Sequence, residues 1–191
     1  MTIATDQGFP EHVARATPLR GWALAASGHG EKGLTQIQQG LAAYRATGAT
    51  MLRPYYLALL AEASAKVGKT AEGLEALTEA PATLTKSGVR WWEAELYRLK
   101  GELLLQHTWT QPEEVEVCFQ QALTVARRQQ AKSLELRAAM SLARLWQRQG
   151  KRTKAHALLA PIYGWFTEGF DTADLQEAKV LLDALRGSPS P

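Results

Sequence analysis

Glycines at 8, 48 and 88 recur every forty residues, and Gly28 and Gly68 repeat that interval between them. Gln130 and Gly150 continue the two series two residues late, which places one extra-long loop around 107–112. A fixed period of this size means an array of one supersecondary unit. Each unit is too small to bury its apolar face alone and stacks on its neighbours to share a continuous core. No segment alternates apolar and polar residues with period two, so strands are not expected. Repeat arrays of this kind present an extended surface to a partner and seldom gather a catalytic pocket.

Each forty-residue unit reads as two amphipathic helices and a short turn. In the second unit Leu57, Leu60, Ala61 and Ser64 keep helical spacing before Gly68 stops the helix. Thr70 can cap the next helix, whose apolar stripe runs through Leu74, Leu77 and Leu84 to Gly88. The expected organisation is one helical-repeat domain over 1–186. Its units are approximately 9–48, 49–88, 89–130 and 131–169, followed by a capping helix at 173–185 and a disordered tail at 187–191. The fourth pair is expected from about Ser133 to Gly150 and from about Arg152 to Gly169. Thr110 to Glu113 resembles a capping box that restarts a helix after the long loop. Pro18, Pro81 and Pro161 fall inside helices, where each removes a backbone bond at about 3 kcal/mol unless a bend or break absorbs it.

With 191 residues, 46% of them apolar, the chain can bury a core as one domain. Its single cysteine, Cys118, rules out an internal disulfide framework and fits a reducing compartment. It reads as a small buried hydrophobe. No run approaches the ~20 apolar residues of a membrane span, and the first residues lack the basic start and apolar core of a secretory signal. The expected location is cytoplasmic. The net charge of +3 is too small to argue for nucleic acid, but it is unevenly spread: 127–154 holds nine basic residues and one acid, Glu135.

Small residues recur where paired helices must approach closely: Ala61 with Gly73 and Ala80, Gly101 with Ala122, Ala143 with Ala155. With Phe119 and Leu159 at the bulky place between them, the pattern resembles the tetratricopeptide repeat, whose usual period is about 34 rather than forty. The resemblance implies an all-α fold, a tetratricopeptide-like right-handed superhelix of about four antiparallel helix pairs of ~40 residues and a C-terminal capping helix. Longer strings, among them Leu-Arg-Gly-Trp-Ala-Leu-Ala at 19–25, Pro-Tyr-Tyr-Leu-Ala-Leu-Leu-Ala-Glu at 54–62 and Arg-Trp-Trp-Glu-Ala-Glu-Leu-Tyr-Arg-Leu-Lys-Gly-Glu at 90–102, resemble the C-terminal repeat region of large bacterial ATPases. In that family the repeats follow an NTPase module, often fused to a nucleotide-cyclase or protein-kinase domain. The resemblance implies a signalling arm that senses or holds a partner, and Asp6-Gln-Gly8, read as a helix end, implies that the chain opens at the tail of a preceding repeat.

Signs of chemistry are sparse. Val67-Gly-Lys-Thr70 looks like the end of a phosphate-binding loop but lacks the earlier glycine and the preceding strand, so it reads as a helix stop. His12, His29, His107 and His156 have no second ligand at metal spacing. Glu72, Glu75 and Glu79 read as a solvated helix face. No enzyme activity, cofactor or metal is expected. Trp22, Trp91, Trp92, Trp146 and Trp165 lie at helical spacing among leucines and are expected in the core, whereas Trp109 sits in the long loop.

The resemblance also locates a surface, because in such repeats the first helix of each pair lines the inner groove. Carried onto this chain, that face holds Tyr55, Glu62 and Lys66, then Arg98, Glu102 and Gln106, then Arg137, Met140, Arg144, Gln147 and Arg148. Arg137, Arg144 and Arg148 are seven and four apart, hence on one helical face. A row of guanidinium groups suits carboxylates, which each can grip with two donors. The expected function is a non-catalytic protein-interaction or scaffold module. Its partner is a protein or an acidic peptide, or other domains of the parent chain, and a weak homodimer through an uncovered array end is a further expectation. Nucleic-acid binding through 127–154 is the alternative, weakened because the basic residues spread around their helices.

Overall fold

The computed structural model describes residues 8–107 and 112–187. Its ordered elements are α1 (Pro10–Ala26), α2 (Gly30–Ala46), α3 (Arg53–Lys66), α4 (Thr70–Thr78), α5 (Ala80–Ser87), α6 (Glu93–His107), α7 (Pro112–Arg128), α8 (Lys132–Arg148), α9 (Arg152–Tyr163) and α10 (Ala173–Arg186). No strand occurs among the described residues.

Every periodic marker proves to be a turn with left-handed backbone. Gly8, Gly28, Gly48, Gly68, Gly88, Gly150 and Gly169 have φ between 68° and 91°, and Gln130 has φ 54°. Glycine adopts this conformation without the clash that a Cβ creates, and Gly28, Gly48, Gly68, Gly88, Gln130 and Gly150 each reverse the chain within two residues of a helix end. The forty-residue period is therefore the spacing of chain reversals.

Within each pair the two helices pack on each other: α1 on α2, α3 on α4, α6 on α7, α8 on α9. Each later first helix also packs on both helices of the pair before it, so α3 touches α1 and α2, and α6 touches α3 and α4. Likewise α8 touches α6 and α7, and α10 touches α8 and α9. Second helices of successive pairs meet one another at most marginally. First helices in continuous contact and second helices held apart make the first-helix side the inner face of the array.

This placement explains the composition of the first helices. Enclosed on three sides, α3 buries Tyr56, Leu57, Ala58, Leu59, Ala61 and Ala63, and α8 buries Leu136, Ala138, Ala139, Met140, Leu142, Ala143, Leu145 and Trp146. Burying one leucine side chain contributes about 1.5–3 kcal/mol. Small residues mark the closest approaches. A Cβ added to Gly21 would lie 2.7 Å from the Gly33 carbonyl oxygen, and one added to Gly101 would lie 2.5 Å from the Phe119 ring.

Some local expectations change. Pro81 does break its helix, dividing α4 from α5, but Pro18 and Pro161 lie within helices assigned without interruption. Gly40 makes room for Pro18: a Cβ there would come within 2.5 Å of the proline ring. Thr70 is not a cap. Lys69 occupies the N-cap position, with no side-chain hydrogen bond to the helix end. The second helix of the fourth pair stops at Tyr163 rather than running to Gly169, and Gly164 follows as its C-cap. Trp146 is buried at 6% exposure, but Trp91 and Trp165 are 47% and 57% exposed, because both sit in turns rather than on a helix face. Trp109, Thr110 and the 188–191 part of the tail lie outside the described residues, as do positions 1–7.

Candidate functional site

The first helices carry a nearly continuous polar ladder along the inner face. On α1, the Trp22 indole N–H donates to Glu62 Oε2 on α3 at 2.9 Å. Lys66 pairs with the same carboxylate at 3.4 Å and lies 5.9 Å from the Trp22 ring centre. On α6, Arg98 grips Glu95 with two donors at 2.9 and 2.6 Å and reaches Glu102 at 3.5 Å. Burial alone would depress the Arg98 guanidinium, but the Glu95 hydrogen bonds and the fields of Glu95, Glu102 and Glu62 outweigh it and raise its pKa.

The ladder continues into the fourth pair and the last helix. Ser141 on α8 donates to Glu102 Oε1 at 2.6 Å, and Arg137 approaches Glu95 at 3.6 Å. Arg137 also donates to Asp174 on α10 at 2.7 Å, and Arg144 donates to Glu177 at 2.8 Å. Two of the three arginines expected to receive an acidic partner thus already hold carboxylates of this chain.

Of the expected groove residues, Glu62, Lys66, Arg98, Glu102, Arg137 and Arg144 belong to this ladder. Arg144, Gln147 and Arg148 come together in a trough of about 560 Å³ between α8 and α10, whose other wall includes Glu177, Val180 and Leu181. Val180 is 70% exposed there. Tyr55 instead sits in an aromatic cluster, its ring 5.6 Å from Trp91 and 5.1 Å from Trp92. Burial, with the Glu62 charge in second place, raises its hydroxyl pKa. Gln106 is exposed near the end of α6. Met140 does not line the groove: at 3% exposure it is packed into the core shared by α7, α8, α9 and α10.

The basic stretch at 127–154 is largely committed to pairs as well. Glu135, its lone acid, is buried and holds Arg127 at 2.9 Å and Lys132 at 2.8 Å. Burial would raise the Glu135 carboxyl, but hydrogen bonds from Lys132 and Arg127 overcome that and hold it below its ordinary value. Arg128 reaches the buried Glu93 at 3.2 Å, and Lys154 stacks 3.8 Å from the Trp146 ring centre while pairing with Glu116 at 3.6 Å. The buried glutamates 93, 95 and 135 are the residues that the sequence pattern does not reveal. Their only signal is an arginine or lysine three residues away on the same helix, or just before it, in Arg90, Arg98 and Lys132.

Among the described residues no group of three or more His, Cys, Asp or Glu side chains is placed to hold a metal ion, and no helix is long and apolar enough to cross a membrane. No family model matches the chain, and no curated protein matches it. Among solved structures it is similar to a Podosopora anserina protein described as a kinesin light chain with nearly identical TPR-like repeats. The TM-score is 0.68 at 17% identity, over 92% of this chain and 86% of that one. A variant form of the same protein gives a TM-score of 0.66 at 17% identity, covering 93% and 94%. At that identity the likeness shows the fold: an all-helical, tetratricopeptide-like array of helix pairs.

Proposed function

We propose that this chain is a non-catalytic protein-interaction module, the sensor or regulatory arm of a larger bacterial signalling ATPase, that holds a peptide segment on its inner face. Repeat arrays of this fold use their concave surfaces for binding. The observation that carries the reading is the trough between α8 and α10, where Arg144, Gln147 and Arg148 stand beside the exposed Val180. Guanidinium groups beside an apolar ledge suit a segment that alternates carboxylates with an aliphatic side chain. Such a segment competes with Glu177 for Arg144, so binding exchanges one ion pair for another and draws its net gain from the apolar contact. The repeat strings at 54–62 and 90–102 supply the connection to an ATPase parent.

The experiment is fluorescence anisotropy of a labelled Glu-Leu-rich dodecamer on the full chain, beside the Arg144→Glu, Arg148→Glu double variant. Binding by the wild type and at least a tenfold loss in the variant supports the groove. Equal affinity sinks it. The nucleic-acid alternative finds less support, since Arg127, Arg128, Lys132 and Lys154 are paired with acids of this chain.

A further inference from the structure

Among the described residues eight large hydrophobic side chains are exposed, and five of them lie in the segments that lead into first helices. These are Phe9 before α1, Met51 before α3, Trp91 before α6, and Trp165 and Phe170 before α10. The other three, Leu19, Val117 and Val180, stand singly on the faces of three different helices. Successive helices alternate in direction, so the leading segments all fall at the same end of the array. Side-chain contacts run from one segment to the next. Tyr55 at the start of α3 lies 5.6 Å from Trp91, Gln129 donates to the Arg90 carbonyl oxygen at 2.6 Å, and the Lys132 ammonium lies 5.5 Å from the Trp165 ring centre. Exposed apolar side chains scattered singly are ordinary, whereas a set gathered at one end marks a surface that meets something.

The same end repeats one arrangement of charge. Glu93, buried at the start of α6, holds Arg90 at 2.9 Å and Arg128 at 3.2 Å. Glu135, buried near the start of α8, holds Arg127 at 2.9 Å and Lys132 at 2.8 Å. Each hidden carboxylate meets two cations, so the four cations exceed the carboxylates by two charges. The three arginines are more than half exposed, and the surface therefore shows the positive partners. Exposed Arg45 in the last turn of α2 adds to them. Glu11 is matched by Arg15, and Glu168 and Asp171 offset the charge only beside Phe170.

We propose that this end of the array docks on an anionic lipid surface. Trp91 and Trp165 sit at headgroup level, and Arg90, Arg127, Arg128 and Lys132 between them face the lipid phosphates. Tryptophan rings, apolar with one polar edge, settle where headgroups meet acyl chains. Each basic side chain near an anionic surface strengthens binding about fivefold, so an excess of two charges favours an anionic over a neutral membrane roughly 25-fold. Insertion and charge together give the two signals that stable membrane attachment requires. A single-stranded nucleic acid suits this end less well. It needs a groove that tracks its backbone, whereas these side chains stand on separate turns, and Met51 offers a base no ring to stack on.

The test is sedimentation of the full chain with vesicles of phosphatidylcholine alone and of equimolar phosphatidylcholine and phosphatidylglycerol. At least tenfold stronger binding to the anionic vesicles is expected, and it should weaken as salt rises. Arg127→Gln with Arg128→Gln leaves each buried carboxylate one cation and should erase most of that preference. Lys32→Gln with Lys151→Gln removes the same charge at the opposite end, in the first turn of α2 and the turn before α9, and should bind as the wild type does. Trp91→Phe with Trp165→Phe should still bind but lose most of the fluorescence quenching by lipids brominated on their acyl chains. Equal binding to the two vesicles, wild-type preference in the Arg127, Arg128 variant, an equal loss in the Lys32, Lys151 variant or unchanged quenching in the tryptophan variant overturns the proposal. Binding to a labelled oligothymidylate with none to vesicles also overturns it, and would assign this end to nucleic acid.

Discussion

Gln130 alone among the described non-glycine residues has a positive φ, at 54°. A side chain in that conformation costs roughly 1–2 kcal/mol, partly offset because glycine is freer in the unfolded chain by about 0.4–1 kcal/mol. Gln130→Gly should therefore gain about 0.5–1 kcal/mol by these two terms, read as a higher urea midpoint at unchanged slope; a lower midpoint would show that the Gln130 side chain itself contributes. The periodicity alone marks this residue as a turn. Glu135 is not legible in the same way. The sequence shows it only as one acid among nine bases, and the fold shows it buried against Arg127 and Lys132. Its carboxyl is held below the ordinary 4.5, so its contribution is present above that pH and is lost as pH falls through the lower folded value. Glu135→Gln should lower stability at pH 7 and flatten the decline on acidification, measured as ΔG of unfolding at pH 7 and at steps below pH 4.5.

At the scale of helices, close approach and ion pairing are set by different residues. Gly101 lets α6 lie against the fully buried ring of Phe119, and a Cβ there would meet the ring at 2.5 Å. Gly101→Ala should destabilise the chain by about 1–3 kcal/mol through overpacking, despite alanine's better helix propensity. A stabilised variant in thermal unfolding would contradict that packing. The small-residue pairing is readable from the residues alone, because close helix contact demands it wherever the unit repeats. The full role of α10 is not. The pattern predicts a cap, but its Asp174 and Glu177 also occupy Arg137 and Arg144. Asp174→Asn with Glu177→Gln should release Arg144, leave Arg137 held by Glu95 alone, and raise affinity for the acidic dodecamer severalfold, since exposed pairs of this kind are worth about 0.2–1 kcal/mol each. Weakened binding would mean that these carboxylates belong to the site rather than compete for it.

For the whole molecule, nearest-neighbour packing governs the outcome. Leu175, Ala178, Leu181, Leu182 and Leu185 of α10 are buried in the core shared with α8 and α9. A chain ending at 171 should lose several kcal/mol, each buried leucine being worth about 1.5–3 kcal/mol, and should expose the last pair to association. A lower urea midpoint and increased light scattering are the expected signs, and an unchanged midpoint would deny the shared core. The all-helical class, the forty-residue unit and the places where the chain reverses are all written in the order of residues, because helical periodicity and left-handed turns depend on groups close in the chain. The neighbours of a charged side chain are not written there. Trp22 meets Glu62, Ser141 meets Glu102 and Arg137 meets Asp174 across 37 to 40 residues, and the register between stacked helices sets those meetings. The same register turns much of the anticipated arginine row into an internal ladder.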